Sequence, residues 1–565
     1  MNKPHAVSAR QGDMDNHAGN GLYLTIYVLL YFLAFAPMAL IQGPLWDDWV
    51  WRLSNATSAK MWLDLGRPYH GPVFDALQAM GESFSATRIA VFVIYFISGL
   101  LLFRAATVAE LASPRNVFWI VLLTILAPVN MARVIEVNLP YPLSFFFYCL
   151  SFYFLAGHFA AGRIIARLLS LFFLFLSFAT PSFLVLAVVP ALFIYYNAVG
   201  HIPKWGSLKT DGMKILRCVV RYFDFHAAPV VFFIMKSAFF EPSGIFKNYN
   251  VITFKGLLWG TVEAAQTAIY NLYMLFSPAF KELLTPLDSN NVLTEIMAVL
   301  LLALLAQAAL PRLAGKRRFF AAEDNSCPSL GVLFFGLGLA FALLMLAIYP
   351  YVVVKKFPHP IGIASRHQTS LHLFIGAFVF FAVMILARPR IVYGVLALVA
   401  GLFTATNCIN YVSYLKHSHV QSAIIEEIRK TPEIRAHTTF VFDESRRPNM
   451  ASGDSSRFPE LTHFMAKAFG EHTRLGAPYL DNVLDWRKKT EKYASTFAAY
   501  NPNYAYDDYR PDGRIFIVRV EPGNKRLNMM SALTMAYNQR FNKESYAQGL
   551  QGLVRLVVNE IITDD

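Results

Sequence analysis

Asp47 and Asp48 stand side by side in the stretch Leu45-Trp46-Asp47-Asp48-Trp49-Val50-Trp51, where a long apolar run ends. Neighbouring carboxylates repel, and each raises the pKa of the other unless a cation, a hydrogen-bond donor or a metal offsets the charge. A carboxylate with a tuned pKa beside a low-dielectric medium suits a general base, one that takes the proton of a hydroxyl or amine acceptor. The plainer reading is that acids and tryptophans mark the membrane surface, where Trp is enriched.

Three further stretches carry ionisable groups. In residues 62–83, Gly66, Pro68, Gly71 and Pro72 interrupt helical pieces, as in a loop folded back over the membrane surface. Arg67 and His70 lie there, either facing the same cleft as the aspartates or, for Arg67, touching lipid head groups. In residues 133–146, Glu136 is either a second acid converging on the first pair or the ion-pair partner of Arg133. In residues 349–372, Lys355, Lys356, His359, Arg366 and His367 form a basic loop. Arg binds phosphate bidentately and Lys adds a point charge, so the ligand is a lipid-borne substrate phosphate or an anionic head group such as phosphatidylglycerol or lipid A. Trp46, Trp49, Trp51 and Tyr69 are suited equally to stacking on a sugar and to lying on lipid. The pairs Asp443-Glu444, Asp507-Asp508 and Asp564-Asp565 read as solvated surface.

The elements that must position these groups are membrane helices. Hydrophobic residues make up 56% of the 565 and charged ones 15%, with a mean hydropathy of +0.41. A soluble chain is less apolar and more charged. Apolar runs fall at 22–42, 89–109, 117–132, 142–161, 164–180, 182–199, 226–240, 291–311, 330–350, 371–387 and 391–411. Eleven spans are therefore expected, with 257–277 as an extra span or an interfacial helix. The run at 22–42 is too long for a signal-peptide core, so it is expected to stay as the first span behind a disordered tail, residues 1–20.

The net charge of +13 sits largely in short loops. That is an orientation signal and gives no reason to expect nucleic acid as a partner. Lys3 and Arg10, Arg104 and Arg115, Arg163 and Arg167, Lys204 through Arg221, Arg312 through Arg318, and Arg388 with Arg390 all fall on one side. The N-terminus is then cytoplasmic. Loops 43–88, 133–141, 241–290 and 351–370 face the exterior or periplasm, as does the segment 412–565. That segment is polar. Residues 437–447 and 513–522 read as strands and 531–562 as helix, which gives an α/β domain of about 130 residues. Cys149, Cys218, Cys327 and Cys408 form neither a disulfide framework nor a metal spacing. No Gly-rich nucleotide loop occurs.

A first span ending in Leu45-Trp46-Asp47-Asp48-Trp49, a long outer loop carrying Leu65-Gly66-Arg67-Pro68-Tyr69-His70, an acid in the second outer loop, a late basic loop and a soluble domain on the same side resemble the GT-C superfamily of membrane glycosyltransferases. The resemblance covers residues 20–411 and rests on topology and the paired acids. It implies an inverting hexosyl- or pentosyltransferase of the bacterial cytoplasmic membrane, serving polysaccharide and cell-envelope biosynthesis. The donor would be a polyprenyl-phosphate sugar and the acceptor a glycan, lipid or protein. Asp47 or Asp48, with Asp48 preferred, would be the base and Glu136 a supporting acid. Lys355, Lys356, Arg366 and His367 would hold the donor phosphate, and Trp46, Trp49, Arg67 and His70 would contact acceptor or sugar. Some relatives need a divalent cation (Mg, Mn or Ca), which Asp47 and Asp48 would hold here. The competing classes are a polysaccharide polymerase or ligase and a lipid-linked oligosaccharide flippase. A flippase calls for ionisable residues within its spans, and these spans are nearly free of charge.

Overall fold

A computed structural model describes residues 13–49, 62–79, 84–199, 208–243, 250–275, 290–313, 328–360, 362–388, 391–446, 458–471, 473–480 and 512–561, together with 247 and 509. The protein is mostly helical with one small sheet near its C-terminal end. Among the described residues, six helices are long and apolar enough to cross a membrane: Gly21–Leu40, Phe84–Val108, Glu136–Ala161, Leu330–Val352, Ala364–Leu386 and Val392–Lys430. The pair Gly212–Arg221 and Phe223–Phe239, bent by 60°, makes a seventh if it counts as one span.

This corrects the expected eleven. The other apolar runs are helical too, but Pro114–Leu126, Ile164–Ser177 and Pro181–Asn197 have only 10–17 residues, and the helix Asn290–Leu313 is not among the candidate spans. At about 1.5 Å per residue such helices reach roughly 15–26 Å, short of the ~30 Å hydrocarbon core. Hydropathy registers the apolar run and not where capping ends the helix. Pro114–Leu126 starts on Pro114 behind the Ser113 cap and stops at Ala127. The 257–277 stretch corresponds to the helix Phe254–Met274, which is not among the candidate spans. Its Gly256, Gly260, Ala264 and Ala268 are buried, while Leu257, Leu258, Trp259, Val262, Ile269 and Tyr273 are exposed.

The first helix, Asp13–Leu40, packs mainly against Val392–Lys430 and Phe84–Val108. Tyr27 and Tyr31 donate their hydroxyls to the carbonyls of Phe96 (2.9 Å) and Phe92 (2.6 Å) of Phe84–Val108. Helix His372–Leu386 lies so close to Pro114–Leu126 that a Cβ on Gly376 would overlap the backbone of Thr124.

The last membrane helix does not end at the membrane. Val392–Lys430 runs 39 residues, and its second half supplies Val420, Ala423, Ile424 and Ile428 to the core of the C-terminal domain. That domain holds the strands β1 (Thr439–Asp443), β2 (Leu475–Ala477), β3 (Ile515–Pro522) and β4 (Val554–Ile561) in the order β2-β1-β3-β4. β1 is parallel to β2 and β3, with Phe440 opposite Phe516, and β3 is antiparallel to β4, with Val518 opposite Val558. The expected strands are β1 and β3. The expected single helix over 531–562 divides into Met529–Phe541, Lys543–Leu550 and β4. Gly552, at φ +75°, turns the chain, and the β-branched run after it pairs with β3 instead of continuing the helix. Glu444 is buried, contrary to its expected place on a solvated surface. Asp507, Asp508, Asp564, Asp565, Trp51 and Cys327 lie outside the described residues. Cys149, Cys218 and Cys408 are buried thiols.

Candidate active site

The two aspartates face different surroundings because the chain turns sharply between them. Trp46 takes a left-handed conformation, φ +47°, unusual for a bulky residue. Asp48 donates its N–H back to Leu45 (3.0 Å) and Trp49 to Trp46 (3.2 Å). Such a backbone costs about 1–3 kcal/mol and persists only where the surroundings enforce it. Here they do. Trp46 packs edge-on against Tyr414, with ring centroids 5.1 Å apart. Trp49 inserts between Phe464, at 4.9 Å, and the Lys467 ammonium, 5.5 Å above its ring. Both tryptophans are buried in protein, so their rings are open neither to lipid nor to a sugar.

The Asp48 side chain is fully buried. Its Oδ2 accepts from Arg88 Nη2 and from the Leu45 N–H, both at 3.3 Å, and its Oδ1 accepts from the Val137 N–H at 3.1 Å. Burial pushes Asp48 up to about 7; Glu136 adds to the rise, while Arg88 and the two amides oppose it. Arg88 also donates to the carbonyls of Val134 (2.7 Å) and Ile41 (2.8 Å). It therefore ties the aspartate loop to the Glu136 loop. Reading 89–109 as the apolar run left Arg88 at its edge and missed this role. The signal was an arginine heading an otherwise apolar stretch, where an ionisable group needs a reason.

Asp47 is half-buried, and its Oδ2 meets Arg366 Nη1 at 3.1 Å. Arg366 sits in a 3-10 helix, Ile363–Leu371, that is held in place from the Glu136 loop. The Ala132 N–H donates to Ser365 Oγ (2.7 Å), and Asn130 donates to Gln368 Oε1 (3.1 Å) and Thr369 Oγ1 (2.9 Å). A continuous polar frame thus links Asp48, Arg88, the Glu136 loop and the basic loop.

Around Arg366 the structure gathers part of the expected set. Lys356 is half-buried. Burial pushes its ammonium down to about 8; Tyr141 opposes the change, and the nearby charges of Arg67 and Arg366 add to it. His367 lies within electrostatic reach of Arg366, Lys356 and Arg67 and packs against Tyr351 in a tilted arrangement, ring centroids 4.8 Å apart. Arg67 arrives on a turn that needs glycine: Gly66 has φ +68°, and a Cβ there would strike the carbonyl of Phe240. His70 is buried edge-on against Trp62 and Tyr69, and among the described residues neither ring nitrogen has a hydrogen-bond partner. Burial, then Arg67, keeps His70 well below the usual histidine range, so its ring is neutral.

Other expectations change. Lys355 is turned toward the helix Phe254–Met274, where it pairs with Glu263, and is exposed. His359 bonds Tyr270 at 2.9 Å. Arg133 does not pair with Glu136. It donates to Val129 (2.7 Å) and Asn130 (3.1 Å), lies 3.0 Å from His372, and stacks over Tyr95 and Phe35. Glu136 is buried beside Asp48 instead. Both Asp48 oxygens are directed at Arg88 and backbone N–H groups, and Asp47 Oδ2 at Arg366. Among the described residues no three His, Cys, Asp or Glu side chains gather as a metal site.

No protein-family model matches the chain, and neither a curated protein nor a solved structure does.

Proposed function

We propose that this protein is an inverting membrane glycosyltransferase that moves a hexosyl or pentosyl unit from a polyprenyl-phosphate-linked donor to a glycan, lipid or protein acceptor. The observation that carries the reading is the accessible Asp47 carboxylate, 3.1 Å from Arg366, in a region shared with Lys356, Arg67 and His367.

The base in this reading is Asp47. The pKa of Asp48, about 7, suits a base, but a base must also reach the proton it takes, and Asp48 is sealed from any acceptor by Arg88 and two backbone amides. Donor phosphate would draw Arg366 away from Asp47, freeing the carboxylate as the acceptor arrives. The acceptor oxygen or nitrogen attacks the anomeric carbon and its proton passes to Asp47. The bond from that carbon to the phosphate oxygen breaks, and the electron pair leaves with the phosphate. Arg366, Lys356 and Arg67 stabilise that growing charge. Arg88 and Glu136 position the loops. On the orientation read from the loop charges, the site opens to the periplasm or exterior of the bacterial cytoplasmic membrane.

Proteoliposomes supplied with polyprenyl-phosphate monosaccharides and a membrane acceptor fraction test this reading. Asp47→Asn should lower kcat on the order of 10²–10⁴-fold with the protein level unchanged, and Arg366→Gln should chiefly raise the donor KM. Absence of donor turnover by the wild type, or full activity of Asp47→Asn, overturns it.

A further inference from the structure

The helix Met529–Phe541 belongs to the C-terminal domain, yet it is built into the membrane bundle. Ala532 and Ala536 lie in the same apolar core as the membrane helices, with Leu533 packed against it. Met535, one step around the helix, lies in the core of the domain. Two contacts fix its level. The Met529 N–H donates to Glu295, in the second turn of the helix Asn290–Leu313. Gln42, just past the end of the span Gly21–Leu40, donates to the carbonyl of Ala536 at 3.5 Å. The helix therefore occupies the corner where domain and bundle meet.

Its remaining side points away from both. Met530, Tyr537 and Phe541 are 69%, 62% and 68% exposed. At about 100° per residue their spacing places all three within roughly 40° of arc. Tyr537 and Phe541 lie against each other, with ring centroids 4.8 Å apart. Arg540 lies in the last turn of this helix, with Arg526 and Lys543 just beyond its two ends, and all three are exposed. An aromatic stripe bordered by basic residues, at the level where membrane helices end, is the composition of an interfacial helix.

We propose that Met529–Phe541 docks the C-terminal domain onto the leaflet on its own side. Met530, Tyr537 and Phe541 enter the boundary between head groups and acyl chains, and Arg526, Arg540 and Lys543 meet lipid phosphate. The domain is then held by the bilayer as well as by protein contacts, whatever reaction the membrane site performs.

The test uses the full chain, one copy per nanodisc of phosphatidylcholine and phosphatidylglycerol. A nitroxide is placed at Tyr537→Cys, at Phe541→Cys and, for comparison, at Arg555→Cys, whose side chain is 71% exposed on β4. Unsubstituted protein treated in parallel gives the background from native thiols. Collision with oxygen relative to a water-soluble nickel complex should be roughly threefold or more higher at 537 and 541 than at 555, as for interfacial burial. Equal nickel access at all three positions overturns the proposal. So does protection at 537 and 541 that appears only in discs holding two copies, since a second chain would then cover the stripe.

Discussion

Two aspartates adjacent in sequence end in unlike environments, and the difference has a measurable consequence. Burial holds Asp48 at about 7 against an ordinary 3.8. The folded chain therefore binds a proton at Asp48 more tightly than the unfolded chain does. This contribution to stability falls as pH rises from about 4 to about 7 and is constant above that. Asp48→Asn removes the dependence. Relative to wild type it should gain on the order of a few kcal/mol between pH 4 and pH 8, seen as a narrowing or reversed difference in melting temperature. Arg88→Ala acts in the opposite sense. It leaves the Asp48 carboxylate buried without its cation and the carbonyls of Ile41 and Val134 without a donor, at a cost of about 3–5 kcal/mol, read as a lower Tm at pH 8.

At the scale of elements, the turn at Trp46 and the 3-10 segments at the ends of two spans carry the site. The left-handed turn at Trp46 throws Asp47 toward Arg366, and the 3-10 helix Ile363–Leu371 presents Arg366 in return. That 3-10 helix is stitched to the Glu136 loop through Ser365 and Asn130. Ser365→Ala would strand the buried Ala132 N–H, costing about 1–3 kcal/mol, and loosen Arg366 without removing any charge. If the site is read correctly, the donor KM should rise severalfold while kcat changes little, which steady-state kinetics resolve. These stitches were not legible in the sequence: Asn130 and Ser365 are 235 positions apart, and neither carries a signal of its pairing. The basic loop itself was legible, because charge on that side of the expected topology needed a reason.

At the scale of the whole molecule, the C-terminal domain is a continuation of the bundle. Val392–Lys430 spans both, Met529–Phe541 packs into both, and Trp49, next to the aspartates, is buried in the domain core. Trp49→Ala should open a cavity at that junction, costing about 3–5 kcal/mol. It should release the aspartate loop as well, so thermal melting and the proposed sugar transfer should fall together in the same preparation.

The sequence by itself determined the membrane class, the places of the apolar runs, the strands β1 and β3, and the loops that gather ionisable groups. Those follow from local composition and periodicity, which any segment carries on its own. Only the tertiary structure decided that Asp48 is a buried anchor while Asp47 is accessible, that Lys355 turns away to Glu263, that Trp46 and Trp49 face protein, and that 554–561 is a strand. Each depends on a partner distant in the chain: Arg88, Arg366, Glu263, Phe464 or β3. Burial and pairing belong to the folded arrangement, and residue type sets only what a side chain is able to do once placed.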